Sequence, residues 1–119
     1  MDTLETVTVV AEISVQDLAA LGSSAHIVDV REPVEWAQGH IGHASLVPLA
    51  SVPGNIAAFD GEPTYVVCRS GNRSGQACEF LRGQGRSVVN VTGGMIAWAA
   101  AWLYVVTGAG SDASGASGD

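Results

Sequence analysis

Short apolar, β-branched runs recur along this chain, and each hands over to a segment of helical character. That alternation constrains the fold more than any other feature. The runs are 7–10 (Val-Thr-Val-Val), 26–30 (His-Ile-Val-Asp-Val), 65–68 (Tyr-Val-Val-Cys) and 88–91 (Val-Val-Asn-Val), with Leu46-Val47 as a shorter candidate. Strands alternating with helices describe βαβ units, whose strands lie parallel in a sheet covered on both faces. In open sheets of this kind, sites form at the carboxyl ends of strands. Asp29 and Cys68 each lie at the end of a predicted strand, so both are expected on the same edge.

The connecting segments carry their own signals. Ser14 offers an N-cap, with Asp17 three residues later, and Val15, Leu18 and Leu21 keep helical spacing up to Gly22. Pro33 suits the first turn of a helix through Val34, Glu35 and Trp36 that Gly39 closes. Residues 51–59 read as a weak helix broken early by Pro53-Gly54. In the helix expected over 73–84, Ala77, Phe80 and Leu81 form one apolar stripe. Gly93-Gly94 turns into a last helix carrying Ile96, Trp98 and Trp102, and all three tryptophans are expected in the core. From Thr107 onward only Gly, Ser, Ala, Asp and Thr occur, which reads as a flexible tail, 107–119, after a domain spanning 1–106.

The chemistry-bearing segment is Cys68-Arg69-Ser70-Gly71-Asn72-Arg73-Ser74. A cysteine at a strand end and a helix entrance sits among free backbone N–H groups and the positive end of a helix dipole. The thiolate is the reactive form of cysteine, and such surroundings favour it. Ser70, Gly71 and Asn72 tolerate a tight turn. Arg73 brings a guanidinium able to hold an anion bidentately, and Arg69 adds charge at the rim. Cys78, inside the following helix, is expected simply to pack. Asp29 is placed to orient the loop by pairing with an arginine, with Arg31 and Glu32 in the same network. His40 and His43 are spaced for a metal, but no further ligand stands nearby to complete a shell, so His40 is expected to cap a helix end instead.

Composition excludes several classes. At 119 residues, 47% of them apolar and 14% charged, the chain is one domain able to bury a core without disulfides. Its net charge is −7, all five basic residues are arginines, and two of them flank Cys68, so nucleic acid is not an expected partner. The longest apolar run, 95–106, is twelve residues, short of the roughly 20 that span a bilayer. No secretory signal is apparent, and two cysteines do not make a disulfide scaffold, so a reducing cytoplasm is expected.

Taken together, Val28-Asp29-Val30-Arg31-Glu32, Gly39-His40-Ile41, the Cys68–Arg73 loop and Gly93-Gly94-Met95-Ile96-Ala97-Trp98 resemble the rhodanese family of sulfurtransferases, in the family's order, over roughly residues 8–106. The resemblance implies a three-layer α/β fold, a five-stranded parallel sheet with helices on both faces. It implies that Cys68 takes the outer sulfur of a donor such as thiosulfate and passes it to cyanide or a thiol, with no metal or organic cofactor. A carrier that moves persulfide sulfur between proteins is the alternative. Two departures stand out: Gly42-His43 replaces the family's Pro-Gly, and Trp102 stands where a glycine is usual. Cysteine phosphatases and arsenate reductases also use a cysteine–arginine loop. Phosphatase loops run Cys-x5-Arg, however, whereas four residues separate Cys68 from Arg73. The shorter loop suits a single sulfur atom better than a tetrahedral phosphate.

Overall fold

The computed structural model of the chain describes residues 9–108. Within them, β1 (Ala11–Ile13), β2 (His26–Asp29), β3 (Ser45–Leu46), β4 (Thr64–Val67) and β5 (Val88–Val91) form one sheet in the order β1-β5-β4-β2-β3. Every neighbouring pair is parallel, as expected. The crossovers carry α1 (Val15–Leu21), α2 (Pro33–Gln38) and α3 (Asn72–Gly83), and α4 (Gly94–Ala100) follows β5. The Ser14 hydroxyl accepts the Asp17 N–H and starts α1, while Pro33 opens α2 behind a Glu32–Glu35 capping box.

Alternation along the strands splits the interior into two layers. Ile27, Val67 and Val91 face one core with Val15, Leu18, Trp36, Met95 and Trp98. Val28, Val66 and Val88 face the other with Val52, Phe59, Ala77, Cys78 and Leu81. So α1 and α4 cover one face, and α3 covers the other. Each fully buried large side chain, such as Leu81, contributes roughly 1.5–3 kcal/mol of burial.

Several sequence expectations need correcting. The first strand is Ala11–Ile13 rather than 7–10; positions 7 and 8 lie outside the described residues, and Val9 is exposed. Register against β5, Ala11 opposite Val89 and Ile13 opposite Val91, selects the strand over β-propensity. Residues 49–59 form two short 3-10 helices, Leu49–Gly54 and Ile56–Phe59, because Pro53 cannot extend an α-helical ladder. The buried stripe of α3 is Ser74, Ala77, Cys78 and Leu81, which turns Phe80 outward at its edge. Trp102 is not a core residue: α4 stops at Ala100, and Trp102 is 93% exposed at φ +60°.

Around that stop, Leu103 N–H donates to the Trp98 carbonyl (3.2 Å) and Trp102 N–H to that of Ala99 (3.0 Å). This pair of bonds is a Schellman cap with Trp102 in its left-handed position. Beyond it the chain returns to α2. His40 and Val106 exchange backbone bonds of 2.9 and 2.8 Å, and Gly108 N–H reaches the Ala37 carbonyl at 2.8 Å. The expected tail falls from residue 109 onward outside the described residues. Gly42-His43 still makes a turn, closed by Ala44 N–H donating to the Ile41 carbonyl at 3.0 Å.

Candidate active site

β4 ends at Val67 and delivers Cys68 to the carboxyl edge of the sheet. Asp29 lies directly across from Val67 in β2, so the expected shared edge is present. Gly71, at φ +104°, turns the chain sharply into α3, a backbone angle that side-chain-bearing residues rarely adopt. Cys68 itself is buried, 1% exposed. Its Sγ receives the Gly71 N–H at 3.1 Å and lies 3.3 Å from Ser74 Oγ.

The loop is held from behind by α4. Met95 N–H donates to the Cys68 carbonyl (2.8 Å) and Ile96 N–H to that of Arg69 (3.0 Å). A carbonyl and the N–H of the next residue point oppositely across a trans peptide. Docking these carbonyls on α4 therefore turns the following N–H groups away from α4, and that of Ser70 is among the donors that act on the sulfur. A Cβ at position 94 would run into the Cys68 and Arg69 carbonyls, so only glycine lets α4 approach this closely.

Burial is the strongest influence on the Cys68 thiol and pushes it up. The Ser74 hydroxyl and the backbone N–H groups of Ser74, Gly71 and Ser70 pull the other way, and the balance lies below the ordinary thiol range. Among the described residues Cys78 has no such donors. Burial pushes it up to about 12, which leaves it a protonated packing residue as expected.

Asp29, fully buried, grips Arg31 through Oδ2–Nη2 at 2.8 Å and Oδ1–Nε at 3.0 Å. Arg31 Nη2 also donates to the Gly39 carbonyl at 2.8 Å, tying β2 to the end of α2. Glu32 is not in this network; it caps α2. His40 caps as expected, its Nδ1 2.8 Å from the Trp36 carbonyl and its ring stacked on Trp36 at 3.6 Å. Among the described residues no cluster of potential ligands is arranged to hold a metal ion.

Arg73 departs from expectation. Its fork is taken by Glu35, with Nη1–Oε1 at 2.7 Å and Nη2–Oε2 at 2.8 Å, instead of standing open for an anion. The Arg73 guanidinium holds the Glu35 carboxyl down to about 2. Ser70 and Asn72 are exposed on the loop, and exposed Arg69 lines a shallow cleft with Gln38, Met95 and Ile96.

Two residues of the site were missed from sequence. Glu35 looked like an ordinary residue of an amphipathic helix, and nothing local marked it. Asn90 did leave a signal, a polar residue inside the apolar run of β5. It pairs in register with Val66, two residues before Cys68, and shares the α3-facing side of the sheet. There it contacts Ser74 Oγ (2.5 Å) and the Gly71 carbonyl (3.2 Å).

With this geometry established, comparison with known proteins gives a consistent result. The family described as Rhodanese-like domain matches residues 14–101. A relative from Bacillus subtilis, "Putative sulfurtransferase YtwF", is 42% identical over 74 residues, 61% of this chain and 72% of that protein. "Thiosulfate sulfurtransferase GlpE" of Pseudomonas entomophila is 41% identical over 85 residues, 70% of this chain and 78% of its own. The crystal structure of a rhodanese-related protein from Thermoplasma volcanium superposes with a TM-score of 0.76 at 31% identity, covering 81% of this chain and 97% of that one.

Proposed function

The chain belongs to the rhodanese-like domain family, and on that premise we propose that it is a sulfurtransferase working through a persulfide on Cys68, with thiosulfate as a donor. The observation that carries this reading is the Cys68 sulfur itself, buried at a strand end, receiving the Gly71 N–H and lying within reach of the Ser74 hydroxyl. The Cys68 thiolate attacks the outer sulfur of thiosulfate. A bond forms between Sγ and that sulfur, the bond to the sulfonate sulfur breaks, and sulfite leaves with the electron pair. The persulfide keeps one negative charge on its outer sulfur, which the N–H groups of residues 69–74 stabilise much as an oxyanion hole does. Cyanide or a thiol then takes that sulfur and returns the thiolate.

With Arg73 engaged by Glu35, Arg69 is the loop arginine left to attract the dianionic donor at the rim. Arg31 and Asp29 serve as supports beneath the edge. Two free cysteines fit work in a reducing compartment, and among the described residues no helix is long and apolar enough to cross a membrane. The test is thiosulfate-to-cyanide turnover. Wild-type protein is expected to form thiocyanate and Cys68→Ser to form none above the uncatalysed rate; full activity in the variant would overturn the mechanism. Comparing thiosulfate, mercaptopyruvate and an organic persulfide in the same assay identifies the preferred donor.

A further inference from the structure

Ser74 Oγ has one proton and two acceptors. Cys68 Sγ lies 3.3 Å away and Asn90 Oδ1 2.5 Å away. The Asn90 amide has only one sensible orientation. Its Nδ2 donates to the Gly71 carbonyl at 3.2 Å, and the reversed amide would set two oxygens, both acceptors only, against each other at that distance. Oδ1 therefore faces Ser74 and can only accept. While Cys68 is a neutral thiol, its S–H is free to donate to Ser74 Oγ, and the Ser74 proton goes to Asn90. When the sulfur is ionised it becomes the stronger acceptor, because hydrogen bonds to charged partners are roughly twice as strong as neutral ones. The hydroxyl then turns to the sulfur and its proton stays on Oγ throughout.

We propose that Asn90 is a positioning residue for Cys68, competing with the sulfur for the Ser74 proton so that the hydroxyl swings to the sulfur only when it carries negative charge. Asn90 thereby restrains ionisation of the resting thiol, while its Nδ2 clamps the left-handed Gly71 whose N–H also serves the sulfur. The proposal rests on the reading of Cys68 as the reacting sulfur. Its test reads the thiol directly, so failure of sulfur transfer and failure of this proposal are distinguishable. The other charged and titratable groups around the loop and Asn90 are Arg69, Arg73, Cys78 and Glu79, with Glu35 on α2, the Asp29–Arg31 pair at the end of β2, and Glu12 of β1 opposite Asn90. None is altered in the test.

The experiment is the rate of iodoacetamide alkylation at Cys68 against pH, read by peptide mass spectrometry, for Asn90→Ala in the native and the Ser74→Ala backgrounds. Loss of the Gly71 clamp is common to both backgrounds and cancels in their ratio. At about pH 6 the effect of Asn90→Ala is expected to be about threefold more accelerating with Ser74 present than without it, the scale of one hydrogen bond. The alkylation midpoint in the native background is expected to sit lower relative to the Ser74→Ala series. A ratio near one, or a greater acceleration without Ser74, overturns the proposal. A second measurement needs no change at position 90. The Cys68 S–H stretch, isolated by difference against Cys68→Ala, is expected at lower frequency in the native protein than in Ser74→Ala, and equal frequencies would overturn the proposal by removing the S–H to Ser74 hydrogen bond it requires.

Discussion

Cys68 illustrates how a fold makes a buried thiol ionisable. Desolvation alone would keep it protonated, and four donors from one turn of chain outweigh that penalty. Arg73 shows a different use of charge. Its pairing with Glu35 fixes the first turn of α3 to α2, and so fixes the walls of the loop rather than its contents. Both side chains are about a quarter to a third exposed, so solvent screening limits the pair to about 1 kcal/mol. Glu35 is held down to about 2 from an ordinary value of 4.5. A depressed carboxylate stabilises the fold above its unfolded value and loses that contribution as pH falls through the folded one. Urea melts of native protein and Glu35→Gln are therefore expected to differ by about 1 kcal/mol at neutral pH, with the gap closing as pH falls from about 4.5 toward 2. A gap that persists at pH 2 would assign the loss to packing instead.

At the scale of elements, most of the fold was legible because local and long-range preferences agreed. The Ser14 cap, Pro33 at the start of α2 and the apolar runs of β2, β4 and β5 all formed close to where the residues placed them. The misreadings arose where one tertiary contact outvoted a local pattern. β1 slid to Ala11–Ile13 to pair with β5, and α4 ended before Trp102 because the Schellman cap stops it there. Trp102 holds a left-handed angle that costs a side-chain-bearing residue about 1 kcal/mol, and its indole is almost fully exposed. Trp102→Gly is expected to raise stability by roughly 0.5–1 kcal/mol in chemical denaturation, since little buried area is lost. A drop in stability would mean that the indole contributes more than its exposure suggests.

Across the whole molecule, the loop, β2, α2 and the chain segment after α4 are linked by few bonds that span long sequence distances. Such bonds are hidden from sequence reading, which is why Glu35–Arg73 and His40–Val106 went unanticipated while Cys68 itself did not. Asn90 lies between these cases, since the odd polar residue in β5 was visible but its partners depended on sheet register. The His40–Val106 exchange returns the chain to the end of α2, beside the Gly39 carbonyl that Arg31 holds. Val106→Pro removes one of its two donors and is expected to lower stability by about 1–2 kcal/mol; an unchanged urea midpoint would show that the contact is dispensable. The central claim is that Cys68 carries the sulfur. Intact mass spectrometry after thiosulfate treatment tests it most directly. The native chain is expected to gain the mass of one sulfur atom, mapped to Cys68 and lost again on adding cyanide, while Cys68→Ser gains none. No gain in the native chain, or a sulfur found on Cys78 or retained in the Cys68→Ser variant, would contradict the account.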